Sequence, residues 1–119
     1  MYENESVLAF LDIHPASRGH TMVIPKVHAE SLDRLDDRHV APLFAGVKTV
    51  MAILEKALKP AGMNVGWNHG WAAGQRVSHL HVHLIPRHGG DGGGGIQSLI
   101  HSFVVEDLAS VATQIKAAR

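Results

Sequence analysis

His79, His81 and His83 alternate with Leu80, Val82 and Leu84 in the run HLHVHLIP. Side chains of an extended chain alternate between two faces with a period of two. A strand here puts the three imidazoles and Ile85 on one face. Leu80, Val82 and Leu84 then point the other way, into a core. An apolar strand thereby presents three nitrogen bases side by side. That array suits nucleophilic or acid–base catalysis, or metal binding.

The rest of the chain supplies the frame. Residues 7–12 (VLAFLD) read as a buried strand, and Pro15, Ser17 and Gly19 mark a turn. Residues 20–24 (HTMVI) read as a second strand stopped by Pro25, so the two make a hairpin-like pair. From residue 36 to 58 the period changes. Val40, Leu43, Phe44, Val47, Val50, Met51, Leu54 and Leu58 recur at spacings of three and four, which predicts an amphipathic helix. Asp36 or Asp37 suits its start, and Pro42 fits only near the first turn. Lys56 and Lys59 suit its C-terminal end, with Pro60 and Gly62 beyond. Residues 63–68 predict a third strand, 69–75 a glycine-bearing loop and 77–85 the histidine strand. Residues 88–95 (HGGDGGGG) hold six glycines and read as a flexible linker. Leu108, Val111, Ala112 and Ile115 predict a second helix over 108–118. The order of elements implies one α+β domain over residues 1–119 with a mainly antiparallel sheet.

Composition removes several function classes. Lys plus Arg is 11 and Asp plus Glu is 11, so no global field draws the chain to nucleic acid or to a membrane surface. An anionic substrate must be held by local groups. Cysteine is absent, which excludes disulfides and thiolate metal sites. The start, MYENESVLAF, has no basic segment before a long apolar run, so no secretory signal is expected. No stretch approaches the ~20 apolar residues of a membrane helix. A soluble, cytoplasmic protein is the expectation.

The loop before the histidine strand bears on the choice of chemistry. Asn68, Gly70, Gly74, Gln75 and Arg76 favour an anion over a cation, because amides of a glycine-bearing turn form an anion-binding nest. No Asp or Glu nearby offers an obvious further metal ligand. A phosphorus centre attacked by an imidazole fits better. A neutral histidine is a good nucleophile toward phosphoryl groups, provided one nitrogen is free and the other carries a hydrogen bond that fixes the tautomer. Flanking histidines can supply protons, and Asn68, Gln75 and loop amides can stabilise phosphate oxygens. A polar solvent face and a histidine metal site remain as other readings of the same run.

With these blocks assembled, the chain resembles the histidine triad (HIT) family. His79-Leu80-His81-Val82-His83-Leu84-Ile85 fits its signature of three histidines alternating with apolar residues. Phe10-Leu11-Asp12-Ile13 with Pro15, then Gly19-His20-Thr21 and Val23-Ile24-Pro25-Lys26 with His28, resemble its nucleoside-binding hairpin. Asn68-His69-Gly70 and Gly74-Gln75 resemble its phosphate loop. The resemblance implies a five-stranded antiparallel sheet (four-stranded if the chain is truncated) with one long helix and a C-terminal helix, in a homodimer. It implies a nucleotide hydrolase or nucleotidyl transferase that cleaves a purine nucleoside monophosphate from its leaving group. His81 would be the nucleophile, His83 would contact the α-phosphate, and His79 and His20 would support them. Asp12 would take the ribose hydroxyls, and Phe10, Leu11, Ile13 and Met22 would pack the base. Asn68, Gly74, Gln75, Arg76 and Val77 would surround the phosphate and leaving group. No metal or other cofactor is expected in the protein, beyond a divalent cation that accompanies a polyphosphate substrate. His14, His28, His39, His69, His88 and His101 are expected to be surface or structural, and Arg87 to be solvated.

The chain departs from the family pattern in three ways. The family's usual N-terminal segment is expected to be missing before residue 1. The paired-cysteine zinc site of many bacterial relatives has no counterpart. Arg76 stands where well-known branches carry a hydroxyl residue, and an arginine cannot serve as an acid at neutral pH. HLHVHLIPR with the glycine-rich segment after it resembles bacterial and Fhit-like members, which favours dinucleoside polyphosphates over phosphoramidates. A nucleotide-binding module with little turnover is the alternative from another class.

Overall fold

In the computed structural model, which describes all 119 residues, the period-two segments form one five-stranded antiparallel sheet. Its strands are β1 (Tyr2–Glu3), β2 (Val7–Leu11), β3 (Thr21–Pro25), β4 (Gly62–Gly66) and β5 (Val82–Arg87), in the order β1-β2-β3-β5-β4. Helix α1 (Val40–Leu58) covers one face, and α2 (Leu108–Ala117) closes the chain. Four strands fall where the sequence pattern puts them, with ends shifted by a few residues. The polar start of the chain carries no strand pattern, yet Tyr2–Glu3 pairs with Ala9 and Leu8 to make β1.

The helix stripe and the sheet pleat meet as expected. Leu43, Val47, Val50 and Leu54 of α1 pack with Val7, Ala9, Val23, Val82 and Leu84 in one core. Gly46 lets the helix approach closely: a Cβ there would lie 2.7 Å from a methyl of Val7. Asp36 caps a short 3-10 turn over residues 37–39 by accepting from the Arg38 amide, and α1 proper begins after it. Pro42 thus sits in the first turn, where no intrahelical N–H is needed. Lys59 ends the helix with φ 48° and ψ 51°.

The histidine strand needs correction. β5 begins at Val82, so His79, Leu80 and His81 precede the ladder. The last β3 pairing is Val23 with Val82. Pro25, which has no N–H to give, ends β3, and the Leu80 amide donates to the Ala29 carbonyl instead, at 2.7 Å. Burial still alternates: Leu80, Val82 and Leu84 are buried, while the three histidines are half-buried. The three imidazoles nevertheless do not act as one row, because each has a different partner.

No helix is long and apolar enough to cross a membrane.

Candidate active site

The register across the open face of the sheet gathers residues distant in sequence. Phe10 pairs with Met22, and Met22 pairs with His83, which also pairs with Gly66. Side chains in such a row share a face. Leu11 pairs with buried Thr21 and so lies on the other face; it is exposed, as is Ile13 at 85%. The register does not gather Leu11 with the imidazoles, and it does not extend to Ile13.

Two ring pairs organise the histidines. His20 is buried, and its Nε2 lies 2.9 Å from His83 Nδ1. The Ala16 amide donates to His20 Nδ1 at 3.0 Å. A backbone amide can only donate, so His20 Nδ1 is the acceptor and a neutral His20 carries its proton on Nε2. That proton is donated to His83 Nδ1, which leaves a neutral His83 with its proton on Nε2. One loop amide thereby sets two tautomers in series. Burial pushes both imidazoles below the usual histidine range. His81 and His20 lower His83 further, while Asp12 opposes the shift in both rings.

His81 is set by a carbonyl. Its Nδ1 lies 2.8 Å from the backbone oxygen of His79. A carbonyl can only accept, so Nδ1 bears the proton and Nε2 of a neutral His81 carries the free lone pair. The His81 and His83 rings are neighbours, with centroids 5.0 Å apart. His79 is engaged elsewhere. Its Nε2 donates to the Pro25 carbonyl at 3.0 Å, and its Nδ1 lies 3.2 Å from Nδ1 of His28. His28, expected to be surface or structural, therefore orients a member of the triad. Its apolar-flanked position after Ile24-Pro25-Lys26 gave no local signal of that contact, which spans 51 residues.

Asp12 divides its carboxylate. One oxygen accepts from the His14 amide at 2.8 Å, and the other lies 3.7 Å from His20 Nε2. Asp12, His20 and His83 each bring a ligand atom within 4.8 Å of the others, the spacing of a metal site. The donor set does not fit one. The Ala16 amide keeps the proton on His20 Nε2, the atom that would have to offer a lone pair.

A cavity of about 590 Å³ opens beside this cluster. Its lining includes His20, His83 and Asn68, together with Val65, Trp67 and Ile85. The rest of the expected phosphate loop behaves differently. Gln75 is used up as a brace: its oxygen accepts from the Gly70 amide, and its nitrogen donates to the Glu30 and Val77 carbonyls. Gly74, at φ +101°, holds the turn and does not line the cavity. Arg76 stacks on Trp71, 3.8 Å from the ring centroid, and donates to the Trp71 carbonyl. Val77 is exposed. Of the predicted loop residues, only Asn68 lines the cavity.

The sequence reading missed the cavity's far wall. Gly93, Gly94, Gly95, Ile96, Ser98 and Leu99 belong to the lining, with Asn64, Arg87 and Asp91 behind them. The expected linker is thus a built element, and Arg87 is half-buried with its guanidinium paired to Asp91. The lone Asp in a glycine run, four residues after an Arg, was the available signal.

The open face of the antiparallel sheet thus orders two tautomer-fixed imidazoles, of which His83 lines the cavity and His81 does not. The HIT domain model matches residues 1–90, and the chain belongs to the HIT family. It is 48% identical over 92 residues to an uncharacterised HIT-like protein of Methanocaldococcus jannaschii, covering 77% of this chain and 70% of that one. It is 38% identical over 108 residues to the adenosine 5′-monophosphoramidase of Schizosaccharomyces pombe, covering 91% and 78%. The crystal structure of a HIT family protein from Bacillus anthracis superposes with a TM-score of 0.81 at 37% identity, covering 100% of this chain and 86% of that one.

Proposed function

We propose that the protein is a nucleotide hydrolase or nucleotidyl transferase that cleaves a purine nucleoside monophosphate from its leaving group through a nucleotidyl-His81 intermediate. One observation carries this reading: the His79 carbonyl holds His81 Nδ1–H, so the lone pair of Nε2 is free beside His83. Nε2 attacks phosphorus, and the bond to the leaving group breaks with its electron pair on that group. The imidazolium formed keeps its Nδ1–H on the carbonyl. The Nε2–H of His83 is a donor for the α-phosphate oxygens, where charge grows. Water then attacks phosphorus and gives a proton to solvent, the P–Nε2 bond breaks with its electron pair returning to Nε2, and the mononucleotide departs.

Phe10 and Met22 share the face of His83 and offer an apolar seat for the base. Asp12 Oδ2 accepts ribose hydroxyls, since one carboxylate can take two adjacent O–H groups. The S. pombe relative is named for a phosphoramidate substrate, which supports that class for this chain alongside dinucleoside polyphosphates. The protein itself needs no metal. A second copy completes the molecule: Phe103, Val104 and Val105 are 82–95% exposed and α2 has no buried residue, so the C-terminal arm offers apolar surface for a homodimer.

The test is time-resolved product analysis with adenosine 5′-phosphoramidate and diadenosine tetraphosphate, for the wild type and His81→Asn, with and without chelator. AMP from the wild type, unaffected by chelator and lost by about 10⁴-fold or more in the variant, is the expected result. Equal release by the variant overturns the assignment of His81. Light scattering of the same sample checks for twice the chain mass.

A further inference from the structure

Arg87 ends β5 and spends its guanidinium on the loop that follows. Nε and Nη2 donate to the two oxygens of Asp91 at 2.7 and 2.8 Å. Nη1 donates to Asn64 Oδ1 on β4 and to the Gly94 carbonyl, each at 2.6 Å. Asp91 also accepts from the amides of His88 and Gly93, both at 3.1 Å. With Arg87 as the first cause and these two amides next, its carboxyl is held far below the usual range. The fit is tight: a Cβ on Gly93 would lie 2.4 Å from Nη2 of Arg87. A single exposed ion pair contributes little, but this one is bidentate and tied to three backbone groups.

The clasp has a position as well as a strength. It fixes residues 93–95 where they continue into Ile96 and Leu99, which with Trp67 and Ile85 give the cavity an apolar wall. It also removes charge. Arg87 is the one Lys or Arg in the cavity lining, and Asp91 cancels it. Arg76, on the loop before the histidine strand, is held on Trp71. Within the lining itself, a chain of phosphates meets no guanidinium or ammonium that is not already paired.

We propose that the Arg87–Asp91 clasp is the specificity-determining device of this site. It sets the glycine-rich loop as an apolar wall for the leaving group, and it selects groups with an apolar body and little negative charge over polyphosphate chains. The proposal rests on the hydrolase reading above. Arg87 and Asp91 are positioning residues, since each bonds the other and the backbone.

The experiment compares kcat/KM for three AMP derivatives: the simple phosphoramidate, the anilide and diadenosine tetraphosphate. The proteins are the wild type, Arg87→Gln and Asp91→Asn. The wild type is expected to prefer the anilide over the tetraphosphate by about tenfold or more. Both variants should lose the anilide preference and keep the simple phosphoramidate within about threefold. Asp91→Asn frees the guanidinium, so its rate on the tetraphosphate should rise, while that of Arg87→Gln should not. A merely structural role predicts equal losses on all three substrates in both variants, and that result overturns the proposal. So does an unchanged preference. Hydrogen exchange at the His88 and Gly93 amides separates this from failure of the hydrolase reading. If the wild type releases no AMP from any substrate, that reading falls and the selectivity role with it. Exchange at these amides that is equally fast in all three proteins also overturns the clasp.

Discussion

Two imidazole pairs in this molecule have nearly the same dimensions and different settings. His20 and His83 lie 2.9 Å apart through ring nitrogens, with centroids separated by 5.1 Å; His28 and His79 give 3.2 and 5.2 Å. The first pair begins at a loop amide behind a buried ring and ends at the cavity. The second begins at an exposed ring and ends at a carbonyl on β3. Geometry alone would call them equivalent. Burial and the order of donors and acceptors separate them: one pair delivers an N–H to the cavity, while the other braces the residue whose carbonyl holds His81.

The sharpest way to break the comparison is to remove one ring from each pair. His83→Asn should lower kcat by about 10²- to 10⁴-fold, the scale of a positioned proton donor. His20→Asn should cost about 10- to 100-fold, as expected when an orienting hydrogen-bond partner is lost. Steady-state kinetics on the better AMP substrate checks both, and a His20→Asn protein with wild-type kcat sinks the series-tautomer argument.

A pH profile probes the buried pair next. His20 and His83 titrate below the usual ~6.5. Their neutral forms, and the hydrogen bond between them, should therefore persist as pH falls through that value. The part of the acid limb of kcat/KM that this pair contributes should lie below it and move upward in His20→Asn, where His83 is no longer given a proton. Stability has the same sign. As pH falls, the unfolded chain takes up these protons first, so the stability from keeping both rings neutral is full above about 6.5 and is lost toward the lower folded values. Thermal melts from pH 8 to pH 5 measure it.

The smallest effect belongs to the outer ring. His28→Ala removes an exposed partner of His79 and should change kcat by less than about tenfold, with a stability loss of about 0.5–1.5 kcal/mol. An effect as large as that of His20→Asn would erase the distinction between the pairs.

Much of this was legible in the chain. The period-two and helical patterns located four strands and both helices, and motif blocks pointed to the family. What local pattern could not carry was partnership. Alternation over 79–85 survives as burial, but the ladder to β3 stops at the Val23–Val82 pair, while β3 itself runs on to Pro25 against β2. β1 is two residues long and exists only through its pairing with β2. Gln75 among its glycines fits a phosphate ligand, but the folded loop engages both polar atoms of its side chain. The glycine run hid its structure because composition averages over the one Asp that Arg87 holds.

The sheet order has a consequence for how the chain comes together during synthesis. β5 is the last strand made, yet it sits between β3 and β4. Until residue 87 has left the ribosome, those two strands present unpaired edges to the surroundings, the feature by which partly made β proteins find wrong partners. The same insertion brings His83 to His20. Completion of the sheet and assembly of the imidazole relay are therefore a single event, and a nascent chain paused before β5 has neither.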